Sequence, residues 1–196
     1  MTHIKTLSLV ALALFGVTKS ASASIPEDKK LTFGGDLALQ LPVGNLANIT
    51  SLGIGVLGRI GYAVQPNLEI TGRIGYVYGL PKDQAALSGL TINGTGGYNT
   101  SVSYVPVLGG ARYYFGGKRE GLHGDAELGL NFVSTTSSFG GISVSSSTTN
   151  VGSNLGVGYL LDGNLPIDLK AQVSILDIGH ASDSMMLGVS GGILFF

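Results

Sequence analysis

Cysteine is absent from the 196 residues, which excludes a disulfide framework, a thiolate metal centre and a lipid-modified cysteine anchor. Charge is scarce too: Asp, Glu, Lys and Arg make up 12%, about half the usual quarter of a soluble domain. With 11 basic against 12 acidic residues there is no strongly basic face, so no nucleic-acid partner is expected. After residue 23 no apolar run approaches the roughly 20 residues of a membrane helix, and helical periodicity is nearly missing. Glycine is plentiful at 32 residues, yet it lacks the Gly-x-y period of collagen. A chain this apolar and charge-poor, without a helical span, fits a barrel that meets lipid through alternate residues.

The N-terminus has the pattern of a secretory signal peptide. Met1 to Lys5 is weakly positive, Leu7 to Val17 is apolar, and Ala21-Ser22-Ala23 offers a small-residue cleavage site. Residues 1–23 are therefore expected to be removed on export, leaving a barrel domain over 24–196. Without Lys5 and Lys19 the 11 basic residues become 9 against 12 acidic, a net charge of −3.

Beyond that point, period-two alternation recurs. Leu31, Phe33, Gly35, Leu37, Leu39 and Leu41 alternate with Thr32, Gly34, Asp36, Ala38 and Gln40. The same pattern predicts strands over 31–41, 52–64, 68–78, 101–115, 122–134, 148–161 and 165–176, with an eighth running to the C-terminus. Longer connections are expected at 42–51, 79–99, 135–147 and 177–184, the third a flexible Ser/Thr/Gly tract. Short ones fall at 65–67, 116–121 and 162–164. Long loops at one end and short turns at the other are the asymmetry of outer-membrane barrels, with the short turns periplasmic.

Alternation alone does not say which face meets lipid, since a lipocalin-type soluble barrel shows the same period. Three features point the apolar face outward. The polar face is mostly Gly, Ser, Thr and Asn, suited to a crowded lumen. Its charges nearly cancel: Asp36, Glu69, Asp125, Glu127 and Asp168 face Arg59, Arg73, Arg112 and Lys170, and buried charges persist when paired. Aromatics gather at strand ends, with Phe33, Tyr62, Tyr113, Phe115 and Tyr159 toward one edge and Tyr76, Tyr78 and Phe132 toward the other, as in membrane-interface belts. A lumen ion-pair network of those nine charged residues is the expected interior.

On these alternating strands, on the Arg112-Tyr113-Tyr114-Phe115 strand end and on the terminal Gly191-Gly192-Ile193-Leu194-Phe195-Phe196, the chain resembles the small Gram-negative outer-membrane β-barrel proteins and is similar to the barrel of outer membrane protein A. The resemblance implies an all-β, eight-stranded antiparallel up-and-down transmembrane barrel in the cell outer membrane. It also implies contact with outer-membrane lipid and lipopolysaccharide, and with the barrel-assembly machinery through the last strand. Phe196, Leu194 and Gly191 resemble that machinery's C-terminal signal, while Val189 departs from the polar residue usual there. Counting back from an outward Phe196 puts Leu194, Gly192, Ser190, Gly188 and Met186 on the lipid face. The opposite phase, Phe195, Ile193, Gly191, Val189, Leu187 and Met185, is more hydrophobic. Either a bulge shifts the phase or the lumen face is unusually apolar; the expectation is Phe196 outward at the rim.

Catalytic types are few. His180-Ala181-Ser182 resembles the His-x-Ser of lipid A deacylases, but no Glu follows Glu127 to orient the histidine, and a polar outer loop is the better reading. His123, Asp125 and Glu127 share one inward face; a metal would need closed coordination there, and arginine partners are at hand. No cofactor, metal or catalytic residue is expected. The expected function is a non-enzymatic structural or surface-interaction role in the outer membrane, its surface ligand unspecified. A narrow channel for small solutes is the alternative, and a lipid A-modifying enzyme a third reading.

Overall fold

The computed structural model describes residues 29–82, 99–139, 142–161 and 166–195; the expected signal peptide, most of the 79–99 connection and Phe196 lie outside them. Eight strands form a closed antiparallel barrel in which each pairs with its chain neighbours and the last returns to the first. They are β1 Leu31–Val43, β2 Thr50–Gln65, β3 Leu68–Pro81, β4 Asn99–Tyr114, β5 Gly121–Phe139, β6 Ile142–Leu161, β7 Ile167–Ile175 and β8 Met185–Phe195. Closure leaves no free edge around the ring, which is the condition for strands to cross a bilayer.

The barrel is inside-out relative to a water-soluble one. Leu37 is 68% exposed, whereas the guanidinium-bearing Arg112 is 1% exposed. Phe33, Leu39, Val56, Ile60, Ile70, Ile74, Leu128, Leu155 and Val157 all face outward, forming a continuous apolar band far larger than soluble monomers tolerate. Phe33, Tyr62, Tyr113 and Phe115 ring the end that carries the short turns, and Tyr76, Tyr78 and Phe132 ring the end that carries the longer connections. Both expected belts are present.

The last strand runs in the phase opposite to the one expected. Directly paired residues of an antiparallel ladder share a face, and β8 pairs without a register shift from Phe33↔Phe195 to Val43↔Met185. Because Phe33 is outward, Phe195 is outward as well, followed by Ile193 and Val189, while Met186, Ser190 and Leu194 are buried in the lumen. No bulge rescues the other phase: Leu194 points inward, and so does Met186.

Two connections also differ from expectation. The tract 135–147 is largely ladder: β5 and β6 stay paired from Gly121↔Leu160 up to Phe139↔Ile142. Serine and threonine pair well across strands, and their small size had read as loop. The 42–51 connection contracts to a single 3₁₀ turn, Gly44–Asn48. Gly44 has φ +66°, and a Cβ added there would strike the Ser182 carbonyl oxygen, a position only glycine fills without strain. Leu46 N donates to the Asp183 carbonyl at 3.2 Å and Asn45 Nδ2 to Asp183 Oδ1 at 2.8 Å, which ties the first connection to the last.

The lumen is packed in two layers. Toward the long-connection end Ala38, Leu46, Leu57, Val77, Val102, Tyr104, Leu176 and Met186 form an apolar layer. The expected small polar face did not anticipate these side chains. Toward the short-turn end lies the ionic layer, floored by Tyr114, Leu160 and Leu194. The gap between the layers, lined by Gln40, Arg73, Tyr104, Asn131, Asn154 and Ser174, has room for about one water molecule.

Candidate functional site

All nine charged residues expected in the lumen are buried there; eight of them divide into three groups and Asp36 stands apart. The centre is Asp168 on β7. It accepts Arg59 Nη1 at 2.7 Å, lies 2.9 Å from Arg112 Nη2, and has His123 Nε2 at 2.7 Å. Asp125, two strands away on β5, takes Arg112 Nε at 2.6 Å, with His123 Nδ1 at 3.3 Å and Lys170 Nζ at 3.8 Å. Arg112 thus spans two carboxylates, a task for which its planar fork is suited, and its guanidinium carbon lies 5.9 Å from the Tyr114 ring centre.

The second group is Arg73 with Glu127, at 3.2 Å. Arg73 Nη1 also donates to Gln172 Oε1 at 3.1 Å, and Asn154 Nδ2 donates to Glu127 Oε2 at 3.1 Å. From Asn154 a relay of neutral groups climbs toward the apolar layer: Ser174 Oγ donates to Asn154, Gln40 Nε2 to Ser174, and Tyr104 OH to Gln40. Arg59 and Arg73 sit directly opposite each other on β2 and β3. Like charges at such positions repel, and the two side chains diverge to different acids.

The third group is Glu69. Register places it across from Arg112, yet the described ion pair it makes is with Arg119 Nη1, at 3.3 Å. Tyr114 OH and Thr32 Oγ1 donate to the same carboxylate. Arg119 comes from the β4–β5 turn, folds up beneath the barrel and also donates to the Lys29 carbonyl. The sequence places it only in the short 116–121 connection, outside the alternating strands. One signal was available: five acids had been matched to four bases, and Arg119 is the fifth. Asp36 stands apart, 3.9 Å from Arg59 Nη2; Gly192 makes room for it, since a Cβ there would strike Asp36 Oδ1.

This arrangement neutralises charge across the lumen and braces β2, β4, β5 and β7 against one another. His123, Asp125 and Glu127 are spent on it: the histidine bridges Asp125 and Asp168, and Glu127 belongs to Arg73.

Outside the barrel, a one-turn 3₁₀ helix Ile178–His180 places His180 Nδ1 2.9 Å from Asp177 Oδ2. Ser184 Oγ donates to the carbonyls of Asp177 and His180. Among the described residues, no serine hydroxyl bonds to the His180 ring, so the His-Ala-Ser triplet forms no nucleophile–base pair. The hydrogen bond from His180 holds the Asp177 carboxyl below its ordinary range, and the same bond raises the His180 imidazole. The histidine's contribution is complete below its ordinary value and fades as pH rises through the raised one. The aspartate's is present above its ordinary value and fades in strong acid. Asp177→Asn is therefore expected to lower the His180 titration midpoint, followed by NMR of the imidazole, without moving global unfolding, because both groups are solvated. A midpoint unchanged by the substitution would contradict the pairing.

No protein-family model matches the chain, and no curated protein does. Among solved structures it is similar to the crystal structure of Ail, the attachment invasion locus protein of Yersinia pestis. That match has a TM-score of 0.52 and 17% identity, covering 85% of this chain and 97% of that one. The backbone structure of Yersinia pestis Ail in a phospholipid bilayer nanodisc matches with a TM-score of 0.50 and 15% identity, covering 85% and 100%. Neisserial surface protein A gives 0.48 and 13% identity, covering 89% and 98%. At such identities the likeness is one of fold: this chain has the architecture of an eight-stranded transmembrane β-barrel.

Proposed function

We propose that this transmembrane barrel is exported by its N-terminal signal and resides in the Gram-negative outer membrane, with the short turns periplasmic and the longer connections outside. There it acts as a closed, non-enzymatic scaffold whose outer end meets lipopolysaccharide and surface partners. One observation carries the scaffold reading: the lumen is filled along its length. An apolar layer around Leu57, Val77, Tyr104 and Met186 closes the outer half, and the Arg59–Asp168–Arg112–Asp125 cluster with Arg119 closes the inner half. Eight strands leave space for side chains and little else. Recognition of β8 by the assembly machinery belongs to the same reading, with Gly191 and the terminal Phe196 as the elements offered and Leu194 turned to the lumen.

The test is electrical. Reconstituted in planar bilayers at defined salt, the protein is expected to give no conductance steps above background. Reproducible steps would overturn the closed-scaffold reading in favour of a narrow channel.

A further inference from the structure

Above the aromatic level of Phe132 the outer surface of the barrel changes chemistry abruptly. On β5 the outward positions run Leu122, Ala126, Leu128, Leu130 and Phe132, and continue as Ser134, Thr136 and Ser138. On β6 they run Val157, Leu155 and Val151, and continue as Thr149, Ser147, Ser145 and Ser143. The β5–β6 ladder does not break at the change, while β7 has already ended opposite Ser153, so the hydroxyl face continues the lipid-facing side of these two strands as a hairpin standing above the closed ring. Three successive rungs are cross-strand hydroxyl pairs: Ser147 with Ser134 at 3.4 Å, Thr136 with Ser145 at 2.9 Å, and Ser138 with Ser143 at 2.8 Å.

We infer that this hydroxyl face, Ser134, Thr136 and Ser138 with Ser143, Ser145 and Ser147, is a contact surface for the neutral sugars of neighbouring lipopolysaccharide. The inference rests on the outer-membrane reading above. Position sets the layer: a wall that leaves the apolar band on the outer side enters the saccharide zone of the leaflet. Chemistry sets the class of group. From Leu128 to Leu161 there is no Asp, Glu, Lys, Arg or His, so the face has no charge with which to hold a phosphate. Each hydroxyl pair uses one O–H internally and still offers one O–H and several lone pairs. The pairs recur every second residue, about 6.8 Å apart. Such a grid of mixed donors and acceptors matches a polyol, which is itself donor and acceptor at each carbon. Acyl chains would leave the remaining O–H of each pair without an acceptor.

The test uses the full-length folded protein and two lipopolysaccharides, one with a hexose-bearing core and one keeping the same lipid and phosphates but no neutral core sugars. Retention of each is read by native mass spectrometry after equal exposure. The wild-type chain is expected to retain the sugar-bearing form about fivefold better, the size of one net hydrogen bond. The variant Thr136→Val, Ser138→Val, Ser143→Val, Ser145→Val keeps strand-forming residues and is expected to lose that preference while still showing the heat-dependent gel shift of a folded barrel. Equal retention by the wild-type chain, or an undiminished preference in the variant, overturns the inference. Insertion into phospholipid bilayers, scored in parallel, separates the two readings. Insertion without sugar preference sinks this inference alone; failure to insert sinks the membrane assignment with it.

Discussion

Asp168→Ala is expected to destabilise the folded barrel by about 3–5 kcal/mol, the penalty for removing one partner from a buried ion cluster. Asp168 holds Arg59, Arg112 and His123 within 2.9 Å. Deleting it leaves two buried guanidinium groups in a lumen with fewer acids than bases. Arg112 retains Asp125, but Arg59 retains only Asp36 at 3.9 Å, too long to satisfy a buried donor. Asp36→Ala supplies the internal comparison: the same charge is deleted from the same layer, yet only that one long contact is lost. The measurement is the urea midpoint of unfolding in lipid or detergent, followed by loss of the compact gel form. A shift for Asp168→Ala no larger than that for Asp36→Ala would show that Asp168 is not the centre of the network.

Leu128→Arg is the second large effect, at about 2–4 kcal/mol for a guanidinium on the lipid face near the bilayer midplane. Leu128 is 56% exposed and is paired with Gly109 on one side and Ser153 on the other, about midway between the two aromatic belts. In a water-soluble barrel the same substitution would replace an exposed leucine with an arginine and cost almost nothing. Ser147→Arg, on the same wall but above Phe132, is expected to cost at most about 1 kcal/mol, as near an interface. The pair of unfolding midpoints maps the apolar band directly. Equal, negligible costs at both sites would mean that the wall does not meet hydrocarbon.

Much of this architecture was legible because the period of a strand is two and every strand of β1–β6 shows it. Alternation such as Leu37 outward against Asp36 inward fixes which residues share a face, and the balance of acids and bases on that face announces ion pairs. Which acid meets which base was not legible. Register puts Arg112 between Glu69 on β3 and Asp125 on β5; it takes Asp125 and leaves Glu69 for Asp168 of β7, because a curved lumen brings non-adjacent strands within reach of long side chains. Arg119 was missed because turns carry no alternation to read. The apolar layer was missed because Leu57 and Val77 occupy inward positions among glycines and polar residues, where size and not polarity is selected, and because the phase expected of β8 placed Met186 outward. The phase of β8 failed for another reason. A terminal aromatic was weighed above the hydrophobicity of the whole strand, whereas a ladder eleven pairs long with β1 determines the face.

The Asp168 cluster also governs how the barrel comes together in time. Its members Arg59 and Asp168 are separated by 109 residues, so their contact forms only once β2 and β7 have been curled toward each other. Contacts of such long separation are made late and slow a folding reaction. Until the β1–β8 seam zips, the inward charges face either water or lipid; in hydrocarbon they would carry a heavy solvation penalty. A half-inserted open sheet therefore carries a solvation penalty that closure of the ring removes. The neutral interior acts as a latch, reached only when the ring is whole.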